Sequence, residues 1–247
     1  MSGHSKWHNI KLRKGKVDAQ RGALFTKLSK EIILAARSGS PDPEANYRLK
    51  MAVEKARENN MPHDNIKRAI ARGAGGTGEK EIEEIRYEGY GPGGVAVVAD
   101  AATDNRNRTA GELRFLFSKH GGTMGESGSV AWMFDPVGIV VVDPAGRSED
   151  AMTEAALVDG VVDLEYGEHT EVYTEPASLT SVRDALASAG VKISEFYLGV
   201  RAKQKASPQG EDLSAALGFL EALDEHEDVQ RVFSNLEVSE AALEALA

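Results

Sequence analysis

The chain has 247 residues, with 29 Lys/Arg against 39 Asp/Glu for a formal charge of −10, and 41% hydrophobic residues. This is ordinary globular composition, and at roughly 150 residues per domain it implies two or three domains. The sequence has no cysteine. Disulfide frameworks, thiol nucleophiles and cysteine-based metal sites are thereby excluded, in keeping with a reducing cytosol. No apolar run approaches the ~20 residues of a membrane helix. The basic start MSGHSKWHNIKLRKGK lacks the apolar stretch that a secretory signal needs behind it.

The first predicted elements are helical. From Asp18, the residues Leu24, Phe25, Leu28, Ile32 and Ile33 recur at three- and four-residue steps, with Arg21, Lys27 and Lys30 between them. Ser38-Gly39-Ser40-Pro41 stops this helix. A second is expected from Pro43 with Asp42 as its cap, buried through Leu49, Ala52, Val53 and Ala56 and ended by Asn59-Asn60. A short third helix follows Met61-Pro62-His63, capped by Asp64, with Ile66, Ala69 and Ile70 inward and Gly73 as its stop. Gly73–Gly78 reads as a linker.

Mixed α/β patterning begins after it. Strands are expected at Ile82–Tyr87 and Val95–Ala99 across a Gly89–Gly94 hairpin loop, then a helix over Thr109–His120 and a strand over Val130–Phe134. Beyond lie a strand at Ile139–Val142, a helix at Glu149–Val158, strands at Val161–Tyr166 and Glu171–Tyr173, a helix at Leu179–Ala189 and a strand at Ile193–Leu198. That order, β-α-β-β-α-β, is the ferredoxin-like unit. The second half of the preceding unit is supplied at the chain's end by a helix at Leu213–Leu223 and a strand at Val229–Phe233. The fold class is therefore α+β: an N-terminal three-helix domain (1–79), a discontinuous α/β unit (80–135 plus 205–247), and a second ferredoxin-like unit (136–204) inserted into it. Lys203–Asp212 is the return linker.

Charge separates along the same lines. Residues 1–80 carry 17 Lys/Arg and 8 Asp/Glu, a net +9, which leaves −19 for the rest. A basic module on an acidic body suits a polyanion held in one orientation. The run Lys6, Lys11, Arg13, Lys14 and Lys16, with Trp7 and His8 interleaved, offers flexible cations for phosphates and rings for stacking. It continues into Arg21 and Lys27. In Asp104-Asn-Arg-Asn-Arg108-Thr109, between a strand and a helix, Arg106 and Arg108 are candidates to clamp phosphate near a helix N-terminus. Lys55, Lys67 and Arg68 extend the basic set but alternate with acids, as ordinary helix-surface charges do.

Other patterns fail their structural conditions. Gly89, Gly91 and Gly94 spell G-x-G-x-x-G, but a strand-like run follows where dinucleotide binding needs a helix. Gly125-Glu-Ser-Gly128 lacks the spacing of a nucleophile elbow. Asp224-Glu-His-Glu-Asp228 reads as a solvated helix end. His4 and His8 are four apart, as metal ligands on a helix would be, but Gly3 argues against a helix there; if Met1 is removed, Ser2-Gly3-His4 could hold Cu(II) or Ni(II) square-planar, though no metal is expected to serve the function. No set of convergent titratable groups suggests an enzyme, and no cofactor is implied.

Several motifs resemble the YebC/PmpR family: Ser2-Gly3-His4-Ser5-Lys6-Trp7, Phe25-Thr26-Lys27, Asn59-Asn60-Met61-Pro62, Tyr87-Glu88-Gly89-Tyr90-Gly91-Pro92, Thr103-Asp104-Asn105-Arg106-Asn107-Arg108 and Val232-Phe233-Ser234-Asn235. Tyr47 departs from the proline of many members, at the start of the second helix. The resemblance implies three domains and a cytoplasmic, non-enzymatic role in gene expression. Some members are described as DNA-binding transcriptional regulators. Others, including a mitochondrial translational activator of cytochrome c oxidase, act at the ribosome, and bacterial members have been linked to translation of stalling proline runs. The expected partner is thus DNA or ribosomal RNA, with a plain protein-interaction scaffold as the competing class.

Overall fold

The computed structural model describes residues 19–76, 78–167 and 169–238. Its first part is a three-helix module. Helix α1 (Ala19–Arg37) buries Leu28, Ile32, Ile33, Ala35 and Ala36, and α2 (Tyr47–Glu58) buries Leu49, Ala52, Val53 and Ala56. Helix α3 (His63–Gly73) closes the cluster with Ile66 and Ala69. Gly73 lies so close to α1 that a Cβ would stand 2.5 Å from the Ile33 carbonyl oxygen, which only a glycine allows.

The second helix begins later than the sequence suggests. Asp42 and Pro43 lie in a turn, and the cap is Asn46, whose side chain accepts from Leu49 N (3.1 Å). Its amide also donates to the carbonyls of Ala35 (2.9 Å) and Ser40 (2.8 Å), tying the loop to the end of α1. One side chain thus satisfies a helix start and two loop carbonyls, an arrangement that outcompetes the Asp-Pro signal.

The remaining chain forms two four-stranded antiparallel sheets. The outer sheet contains β1 (Glu83–Tyr90), β2 (Ala96–Thr103), β3 (Thr123–Met124) and β8 (Val229–Ser234), ordered β3-β1-β2-β8. The inner sheet contains β4 (Phe134–Asp143), β5 (Val161–Glu165), β6 (Thr170–Thr174) and β7 (Lys192–Ala202), ordered β5-β6-β4-β7. Helices α4 (Arg106–Lys119) and α7 (Gly210–Glu225) cover one face of the outer sheet. Helices α5 (Glu149–Ala155) and α6 (Leu179–Ser188) cover one face of the inner sheet.

The inner sheet has the strand order of a ferredoxin-like unit. The outer sheet has the same order in space with its chain permuted, because β1 fills the third-strand place while preceding the rest. The two remaining faces meet through Ala96, Val98, Phe134, Val137, Ile139, Tyr173 and Phe233. Strand β2 is covered on both sides, which explains its run of small apolar residues, interrupted only by Asp100 before Thr103.

Strands β2 and β7 run on to Thr103 and Ala202, beyond the expected Ala99 and Leu198, and β3 is not among the expected strands; the largest difference lies at the entry to the inner sheet. The segment expected as a strand at Val130–Phe134 contains a 3-10 turn (Ala131–Met133), and β4 starts at Phe134. That strand runs through Pro136, which pairs only with Val200 of β7. Pairing with β6 begins at Gly138, so the missing N–H leaves no gap in a two-sided ladder.

Candidate nucleic-acid interface

Of the residues expected to meet phosphate, Lys6, Trp7, His8, Lys11, Arg13, Lys14 and Lys16 lie outside the described residues. Arg21 falls in the first turn of α1. Lys27 donates to the Asp224 carbonyl and lies 3.8 Å from its carboxylate. Arg106 sits in the first turn of α4 with its guanidinium largely exposed, 3.8 Å from Glu83. Arg108, two residues on, faces inward toward the acidic body. The two arginines of one motif therefore have different surroundings.

Arg108 reaches four carboxylates: Glu227 (2.9 Å), Asp228 (2.9 Å), Glu112 (3.8 Å) and Asp104 (4.0 Å). Asp228 is the hub. It is 0% exposed and receives Lys30 from α1, both bonds of one Arg108 nitrogen, and the Thr109 hydroxyl (2.6 Å). Burial pushes the Asp228 carboxyl up, but the hydrogen bonds from Lys30 and Thr109 and the charges of Lys30 and Arg108 outweigh it and hold it below its ordinary value. The expectation of a solvated helix end at 224–228 is thus corrected. This segment is the counter-charge that receives Lys27, Lys30 and Arg108.

Glu112, His226 and Asp228 bring three potential metal-ligand atoms within 4.8 Å of one another. Their lone pairs are already engaged. Both Asp228 oxygens accept from cations or Thr109, the His226 Nδ1 accepts from Asp228 N (3.1 Å), and Nε2 faces Glu112 (3.1 Å). The cluster behaves as a closed ion network between α1, α4 and the return segment.

A second network lies one helical position away. Glu31 of α1 pairs with Lys55 (3.4 Å) and Arg231 (3.7 Å), and Glu195 of β7 meets the same two cations at 2.5 and 3.5 Å. Burial pulls the Lys55 ammonium down, yet Glu195 and Glu31 together hold it above its ordinary value. The Arg231 guanidinium also covers the Tyr197 ring at 4.0 Å. These residues line a cleft of about 520 Å³ where the helical module meets both sheets. At its rim Tyr47 packs against Phe196 (5.5 Å), with Arg183 over both rings at 4.4 and 4.8 Å. The position that departs from the family pattern thus joins the module to the inner unit.

The sequence reading missed a third buried charge. Glu88, 4% exposed on β1, accepts from the backbone N–H groups of Gly128 (2.8 Å), Val130 (2.9 Å) and Ala131 (2.8 Å). Burial raises this carboxyl, but the three amides hold it below its ordinary value. The loop from Gly125 to Trp132 is shaped by that carboxylate. The only local signal was an acidic residue amid apolar and glycine neighbours.

Exposed cations remain on the module at Arg57, Lys67 and Arg68. The outward face of α3 presents His63, Asp64, Lys67, Arg68 and Ala71, two cations with no exposed Asn or Gln beside them to complete a base-reading set. Among the described residues no helix is long and apolar enough to cross a membrane.

Comparison with known proteins gives the family. Residues 5–76 match the TACO1/YebC protein N-terminal domain, and residues 82–236 match the TACO1/YebC second and third domain. A protein of Desulforamulus reducens named probable transcriptional regulatory protein is 49% identical over 240 residues, covering 96% of this chain and 99% of its own. One of Rubrobacter xylanophilus with the same name is 47% identical over 249 residues, covering all of both chains. The crystal structure of a conserved hypothetical protein from Aquifex aeolicus superposes with a TM-score of 0.83 at 44% identity, covering 92% of this chain and 94% of that one. On its domain matches, the identity of its relatives and its fold, this chain belongs to the TACO1/YebC family.

Proposed function

We propose that the protein is a cytoplasmic, non-enzymatic regulator of gene expression that binds DNA through its basic N-terminal segment. The observation that carries this reading is the segregation of charge, +9 in residues 1–80 against −19 beyond. The names of its relatives support the same class. In this reading Lys6, Lys11, Arg13, Lys14, Lys16 and Arg21 neutralise phosphates, while Trp7 and His8 stack. Arg106 adds a contact from α4. Lys27, engaged by the 224–228 segment, is assigned to holding the module on the body, and Arg108 to fixing Asp228 within the body.

Salt dependence tests this directly. Neutralising about six phosphates gives a log–log slope of affinity against salt near −5, and a slope near zero overturns the electrostatic reading. Alanine at Lys11, Arg13, Lys14 and Lys16 together abolishes function here and leaves it intact if the protein is only a scaffold. A second reading, binding to ribosomal RNA, is favoured by the outward face of α3, whose residues suit backbone contacts better than base edges. Crosslinking in cells, with sequencing of both nucleic acids, separates the two: promoter enrichment supports transcription, and dominant ribosomal RNA supports translation.

A further inference from the structure

The outer unit displays an indole to solvent on a loop that is otherwise tightly held. Trp132 is 65% exposed, an unusual position for the residue that gains most from burial. Its ring is not loose. The indole N–H donates to the Ser129 carbonyl (3.2 Å), and the residues just before it are fixed by Glu88 through three backbone N–H groups. From the other side, Lys203 donates to the Trp132 carbonyl (3.1 Å), and its own backbone N–H bonds Met133 O (2.9 Å). Tyr90, also partly exposed, reaches the Met133 sulfur at 3.8 Å. The ring is thus preorganised, so that a partner would meet it at little entropic cost.

The surroundings select the kind of partner. An aromatic anchor for a protein partner typically sits in apolar contacts that exclude water. Along the chain around Trp132 the exposed residues are Glu126, Ser127, Gly128, Ala131, Asp135 and Pro136, polar more often than apolar, with the Lys203 ammonium paired to Asp135 at 3.2 Å. A flat π-face bordered mainly by polar groups matches an unpaired base, which offers its own π-face and stacks without needing an apolar pocket. We propose that Trp132 is a stacking platform for an unpaired nucleobase of single-stranded nucleic acid, with Lys203 holding the Trp132 backbone in place beneath it. This inference rests on the nucleic-acid reading above and adds to it a contact surface on the outer α/β unit.

The chain has two tryptophans, Trp7 and Trp132; Trp7→Phe keeps a ring for stacking at position 7 and leaves Trp132 as the reporter, its own anisotropy curve serving as the reference for its emission. The test combines two readouts in low-salt buffer: anisotropy of a labelled 20-nucleotide oligothymidylate and intrinsic emission with the same unlabelled strand. The expected result is saturable quenching of Trp132 that follows the anisotropy curve, with a duplex of equal length quenching less. Trp132→Ala should weaken single-strand binding about five- to hundredfold. Trp132→Phe should restore most of it, and the thermal melts of both variants should match that of the unsubstituted chain. Saturating anisotropy with unchanged emission, equal quenching by duplex, or full affinity in Trp132→Ala overturns the platform and leaves the nucleic-acid reading standing. No anisotropy change with the unsubstituted chain on the oligothymidylate, the duplex or a ribosomal RNA fragment overturns both.

Discussion

Two buried carboxylates organise this molecule in opposite ways. Asp228 is surrounded by side chains from distant elements: Lys30 of α1, then Arg108 and Thr109 of α4. Glu88 is surrounded by backbone from one short segment, the amides of Gly128, Val130 and Ala131. Both are held below their ordinary values against the cost of burial. The first joins modules and the second gives a loop its shape. A buried charge therefore does not have one meaning, and its partners decide whether it acts as a junction or as a local scaffold.

Removing the junction should cost most. Asp228→Ala leaves the buried Lys30 ammonium without its carboxylate and Arg108 with only its outer ones, Glu227 the nearest, and denaturant unfolding should show a loss of about 3–5 kcal/mol. Adding Lys30→Met should recover part of that loss. If the double variant is no better than the single, the ion pair is not the junction. Glu88→Gln should cost about 2 kcal/mol, because one amide oxygen cannot serve three buried N–H groups. Its distinguishing readout is faster proteolysis between Gly125 and Trp132, which Asp228→Ala should not produce.

The smallest effect is the dependence on acid. In the unfolded chain these carboxyls titrate near 4, and in the fold both titrate lower. Their contributions are complete above that range and disappear as pH falls through the lowered values. Stability measured from pH 6 to 2 should therefore decline less steeply in Glu88→Gln than in the unsubstituted chain. An identical acid limb would mean that the amide cradle does not favour the ionised form.

The nested architecture was legible because periodicity changes along the chain: three- and four-residue spacing to Gly73, then alternating and continuous apolar runs. Helix α2 started late because the Asn46 amide finds carbonyls at Ala35 and Ser40, partners that a local reading of Asp42-Pro43 does not contain. Strand β4 was expected only from Ile139, after a separate strand over Val130–Phe134, because the stretch through Asp135-Pro136 lies in a part of the ladder paired on one side only. For the site, residue types were readable and destinations were not. Lys30 and Asp228 are 198 positions apart, and Arg108 and Asp228 are 120 apart. Such pairings exist only once the fold brings the ends of the chain together.

The pairing of Phe134 with Ala202 at the root of the inner sheet affects how the chain is assembled. Strand β2 must find β8, whose residues are made more than a hundred positions later. Closing an open coil of that length is entropically unfavourable and slow. Once the inner unit has formed, its first and last strands emerge side by side, and it spans no more space than a tight turn would. The late-arriving strand is then delivered close to the edge it must complete. A graft that replaced the whole insertion by a short hairpin would preserve the same meeting of ends.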